Sequence, residues 1–82
     1  MSVINFEKFA NEFSIDLGIK QSDFHGVPLR DIPEYDSMGK ITASLTIERL
    51  FGVQISYEVL DEVQFIMDLY NYCVAISAKA AE

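Results

Sequence analysis

The chain has 82 residues, half of them apolar, with six phenylalanines, four tyrosines and thirteen acidic residues against six basic ones, for a net charge of −7. That length makes one domain with a single core, although domains this small bury only roughly 60% of the surface their unfolded chains expose. The charge disfavours nucleic acid as a partner, because phosphate binding needs a clustered basic face; it favours basic partner surfaces met at salt-sensitive rates, or serves solubility alone.

Cys73 is the only cysteine, so an internal disulfide is excluded and a structural zinc site is not expected. The opening run MSVINFEKFANEF has neither the basic region nor the unbroken apolar stretch of a signal peptide. No apolar run approaches the roughly 20 residues that span a bilayer. A soluble, cytoplasmic monomer without membrane insertion is expected.

The first helix is expected from about Val3 to Leu17. Phe6, Phe9, Phe13 and Leu17 recur at spacings of three and four, with Ala10 beside them, which builds one apolar stripe. Ser2 or Asn5 suits its start and Gly18 its left-handed end. From Gly18 to Asp36 the chain has Gly26, Pro28 and Pro33 and no helical period, so it reads as a loop. Loops of this length in a compact domain are functional or wrapped across the core; Phe24, Val27, Leu29 and Ile32 are the residues to pin it there. His25, the only histidine, reads as a surface or loop-packing residue. Asp31, Glu34 and Asp36 do not make a calcium loop, because Pro33 falls on a ligand position.

The second helix is expected from Asp36 or Ser37, both good cap residues, to Phe51, with Gly52 as its stop. A short third helix fits Tyr57 to Glu62 after Ser56. The last helix is expected from about Gln64 to Ala78, with Ile66, Leu69, Tyr70, Cys73 and Ile76 on one face. Tyr57, Tyr70 and Tyr72 read as core or interface aromatics. The fold class is all-α, a four-helix bundle with a short third helix and a long first loop.

The second helix carries two apolar stripes when placed at 100° per residue. Ala43, Ile47, Leu50 and Phe51 fall on one side, which can face the core. Met38, Ile41 and Leu45 fall on nearly the opposite side, and Ser37 leads that stripe. A second stripe is either covered by another element, here the long loop, or left for a partner. The serine at its head favours partner docking.

The run Asp36-Ser37-Met38-Gly39-Lys40 resembles the phosphopantetheine attachment segment of acyl, peptidyl and D-alanyl carrier proteins. Phe51-Gly52-Val53-Gln54-Ile55 supplies the turn found after the second helix in that family, fifteen residues beyond Ser37. Phe65 to Cys73 is similar to the family's last-helix segment, so the likeness extends from the first helix to about Ala78. An Asp-Ser pair alone means only a capped helix; the resemblance rests on the joint pattern.

The resemblance implies a carrier rather than an enzyme. Ser37 would take a 4′-phosphopantetheine arm from coenzyme A, and Asp36 would serve recognition by the phosphopantetheinyl transferase. Further partners would be an acyl- or aminoacyl-loading enzyme and downstream acyl-processing enzymes. An acyl chain on the arm is expected to fold back among Ala43, Ile47, Val59, Val63 and Ile66, with Ser44 adding a polar group and Leu45 pointing away.

Fatty-acid-synthesis members carry several acids along the second helix. Here Glu48 is the only acid inside it, and Lys40 and Arg49 are basic. Both cations are expected at the docking surface with Met38, Ile41 and Leu45, and they point to a specialised pathway with its own partners. Gly39 should cost the first turn up to about 1 kcal/mol. Two other readings fit the same residues. One is an unmodified acidic interaction module docking through Met38, Ile41 and Leu45. The other is a helical regulator phosphorylated on Ser37.

Overall fold

The computed structural model describes residues 4–24 and 26–80, with side chains described to residue 77. Val3, Ser2 and His25, which the sequence assigned to the first helix, its start and the long loop, lie outside the described residues. The elements in order are α1 (Phe6–Leu17), 3-10 turns at Gln21–Asp23 and Leu29–Asp31, α2 (Ser37–Phe51), α3 (Tyr57–Glu62) and α4 (Ile66–Ala80). Among the described residues there is no strand, and no helix is long and apolar enough to cross a membrane.

α1 begins at Phe6, three residues later than the periodicity predicts. Asn5 is extended and its side chain accepts a hydrogen bond from the Lys8 N–H at 2.7 Å, so the helix starts where that cap forms. Gly18 ends it in the left-handed conformation, with φ at 70°, and its N–H donates to the Ser14 carbonyl. Phe9, Ala10 and Phe13 are buried, as the stripe requires, and Phe6 and Leu17 are half-buried beside them.

The long segment between α1 and α2 wraps across the core rather than over α2's second stripe. Phe24, Leu29, Ile32 and Tyr35 are buried and Val27 is half-buried. The Phe24 ring meets Phe13 edge-on at 5.7 Å between centroids. The Leu29 N–H donates to the Gln64 carbonyl at 2.7 Å, and the Tyr35 hydroxyl donates to the Leu60 carbonyl at 2.6 Å. Both bonds tie the segment to α3 and the α3–α4 junction. Two single 3-10 turns interrupt what the sequence presents as plain loop; three-residue turns leave no apolar period to read.

α2 turns Ala43, Thr46 and Ile47 inward and stops at Gly52, with φ at 70°. Ser56 caps α3 by accepting from the Val59 N–H. α4 starts at Ile66 instead of Gln64. The Gln64 carbonyl is taken by Leu29, Val63 is extended, and the Asp68 carboxylate accepts from the Phe65 N–H at 3.2 Å, which sets the start one turn before itself. At its far end no glycine or proline intervenes, and the helix continues two residues past Ala78 to Ala80.

Phe9, Phe13, Phe24, Leu29, Ile47, Leu60, Leu69 and Cys73 form the closed centre of the core. Fully burying a large apolar side chain contributes roughly 1.5–3 kcal/mol, so this cluster outweighs any single hydrogen bond in the fold. Tyr70 is half-buried, stacks edge-on with Phe6 and donates its hydroxyl to the Ile4 carbonyl at 2.8 Å. Tyr57 and Tyr72 are exposed, so neither is a core aromatic.

Candidate functional site

Ser37 is the first residue of α2 and is exposed. Of the two possible caps, Asp36 takes the role: its Oδ1 accepts from the Gly39 N–H at 2.9 Å and its carbonyl accepts from the Lys40 N–H at 2.9 Å. The Ser37 hydroxyl is therefore not used for capping, and it has no hydrogen-bond partner among the described residues. A nucleophilic or acceptor hydroxyl is thus presented at a helix start whose N–H groups and dipole favour an anion.

The neighbouring Gly39 holds this corner together. A Cβ built there would lie 2.0 Å from the Glu34 carbonyl oxygen and 3.0 Å from its carbon. Gly39 is buried against that backbone, so it permits a close approach as well as weakening a helical turn.

Met38, Ile41 and Leu45 are 69%, 48% and 61% exposed, so the second stripe of α2 is not covered by the long loop. Tyr57 on α3 is also exposed. Large apolar side chains clustered beside an exposed serine make a surface suited to docking.

Lys40 and Arg49, expected as cations offered to partners, are instead paired within the chain. Lys40 Nζ lies 2.7 Å from Asp61 Oδ1 and within 6 Å of the Tyr35 and Tyr57 ring centroids, at 5.8 Å and 5.6 Å. Arg49 bridges α2 to α1, with Nη1 2.7 Å from Glu12 Oε1 and Nη2 2.6 Å from Asp16 Oδ2. Asp16 also accepts from the buried Thr46 hydroxyl at 2.6 Å. The outward positive field of α2 is therefore smaller than two free cations would give.

The Thr46 hydroxyl, and then the Arg49 guanidinium, hold the Asp16 carboxyl below its ordinary range, against the opposing effect of burial. A depressed folded-state pKa contributes stability above the unfolded value and loses it as pH falls through the folded one. Asp16→Asn should thus lower the urea midpoint at neutral pH. The gap to the wild type should close only as pH drops below the ordinary carboxylate value of 3.8. A gap that persists unchanged into strong acid would refute this assignment.

Ala43, Ile47 and Ile66, expected to line a cargo space, are buried, while Val59 and Val63 are half-buried. The first three belong to the core cluster and Val63 packs against it. Ser44 departs from that set: it lines a surface groove with Leu45, Glu48, Gln54 and Ile55. Burial pushes the Cys73 thiol up to about 12, so it is a protonated core group.

Asp61 is the residue near the site that the sequence does not signal. It and Tyr57, read from the sequence as a core or interface aromatic, reach Lys40 only because α3 packs on α2, and nothing in local spacing signals that contact. No protein-family model matches the chain, and no curated protein or solved structure gives a significant match to it.

Proposed function

We propose that this protein is a carrier with a four-helix bundle of the acyl-carrier type, bearing a 4′-phosphopantetheine arm on Ser37. It would shuttle acyl or aminoacyl thioesters between enzymes of a specialised pathway. The observation that carries this reading is the exposed Ser37 hydroxyl, left unengaged because Asp36 caps α2, at the head of an exposed apolar stripe. The joint sequence pattern around Asp36-Ser37-Met38 and Phe51-Gly52-Val53 supports it.

In the loading step the Ser37 Oγ attacks the pyrophosphate of coenzyme A on a Mg²⁺-dependent transferase. A P–O bond forms to serine, the bond to the adenosine bisphosphate half breaks, and the serine proton leaves to a base on the transferase. The resulting phosphodiester at an exposed helix start is favoured by roughly 0.3–1 kcal/mol. The arm supplies the thiol that holds cargo, which the core thiol of Cys73 does not do. This chain supplies the attachment hydroxyl, the capped helix start and the docking stripe.

The exposed stripe also supports a second reading, an unmodified interaction module docking through Met38, Ile41 and Leu45. Intact mass separates the two. Incubation with coenzyme A, Mg²⁺ and a broad-specificity transferase should add one arm per chain, and no gain overturns the carrier reading. Phosphate in place of the arm after expression would favour the regulator.

Leu45→Ala tests the stripe. Leu45 is largely exposed, so the change should leave stability within about 0.5 kcal/mol. The initial rate of cargo loading by the cognate enzyme should fall several-fold, at low and high salt alike, because apolar area rather than charge is lost. An unchanged rate would remove Leu45 from the docking surface.

A further inference from the structure

Lys40 carries a tightly surrounded cation beside Ser37. Its side chain is 17% exposed, its Nζ is bonded to Asp61, and the Tyr35 and Tyr57 rings flank it. The ammonium sits between the ring of Tyr35, which precedes α2, and the ring of Tyr57 on α3. Long helical side chains lean toward the start of their helix. Ser37 and Lys40 are three apart on α2, which makes them surface neighbours with Cβ atoms about 5–6 Å apart. The hydrogen bond that the ammonium donates to Asp61, with the nearby Asp36 charge assisting, raises the Lys40 pKa. The ammonium is charged throughout the physiological range.

We infer that Lys40 is a positioning residue for the arm, exchanging Asp61 for the phosphodiester on Ser37 and seating it on the Tyr57 side of α2. This rests on the carrier reading. Asp61 is a weak competitor, because its side chain is 59% exposed and well hydrated. The phosphodiester is tethered one helical turn away, so its effective concentration near the ammonium is high. The two rings hold the cation in place while its anion changes.

The exchange has a consequence for α3. That helix keeps the buried Leu60 and the Tyr35–Leu60 hydrogen bond but loses its charged tie to α2. Attachment of the arm thereby loosens residues 57–62, on the face where cargo would enter.

The test uses the full chain, loaded with the arm, as wild type, Lys40→Gln, Lys40→Arg and Asp61→Asn. The ³¹P resonance of the arm should move in Lys40→Gln, return in Lys40→Arg and stay at the wild-type position in Asp61→Asn. Amide hydrogen exchange across 57–62 should be several-fold faster in loaded than in unloaded wild type, and unloaded Asp61→Asn should match the loaded rate. A ³¹P resonance indifferent to Lys40→Gln, or α3 exchange indifferent to loading, overturns the inference while a mass gain preserves the carrier reading. Absence of any mass gain overturns both.

Discussion

Ser37→Ala should abolish all mass gain from transferase treatment and leave the helical circular dichroism and thermal midpoint nearly unchanged. Both halves follow from one geometric fact. The first-turn hydrogen bond at the start of α2 is made by Asp36, whose Oδ1 accepts from the Gly39 N–H at 2.9 Å, so removing the serine hydroxyl removes no cap. Ser37 is exposed and alanine is the better helix former, so the stability change stays within about 0.5 kcal/mol. The loss of the acceptor is complete, because an alanine side chain has no oxygen to form the phosphoester. A mutant that still gains the arm would place the attachment site elsewhere.

Gly39→Ala should cause the largest loss of stability among single-methyl additions near the site. On propensity alone the change would stabilise α2 by up to about 1 kcal/mol. The close approach reverses that sign, because the new Cβ would stand 2.0 Å from the Glu34 carbonyl oxygen and both contacting atoms are backbone. Rotamer changes cannot relieve such a contact. Overpacking of this kind costs about 1–3 kcal/mol, and each kcal/mol shifts the midpoint of a domain this size by roughly 4–8 °C. A fall on the order of 10 °C is therefore expected by calorimetry. The loading rate should fall with it, since the Glu34–Asp36 segment that sets up Ser37 must move. A midpoint that rises would show that the segment yields without cost.

The parts of the fold that were legible in the sequence are those governed by local spacing. The 100° period of α2 separates Ala43 and Ile47, both fully buried, from Met38, Ile41 and Leu45, all exposed. Gly18 and Gly52 mark helix ends because only the left-handed backbone closes them there. Phe24, Leu29 and Ile32 are among the apolar residues of a loop with no helical period, and they are buried.

What could not be read depends on contacts distant in the chain. The start of α4 shifts because Leu29 takes the Gln64 carbonyl, which no local pattern reveals. Lys40 finds Asp61 across 21 residues, and Arg49 finds Glu12 and Asp16 across 37 and 33. Sequence spacing therefore presents two free cations where the fold has two ion-paired ones. Gly39 reads as a propensity cost until the path of Glu34 is known. Tyr35 is likewise a loop aromatic in the sequence and a buried donor to Leu60 in the fold.

The central claim, that Ser37 carries the arm, is tested most directly by locating the modification. Wild-type protein treated with coenzyme A, Mg²⁺ and a broad-specificity transferase is digested, and the peptide spanning residues 31–40 is fragmented in a mass spectrometer. The predicted result is a single phosphopantetheine on Ser37, with ejection of the arm on fragmentation and no modification of Ser44, Ser56 or Cys73. An unmodified Ser37 peptide, or an arm mapped to any other residue, would contradict the account.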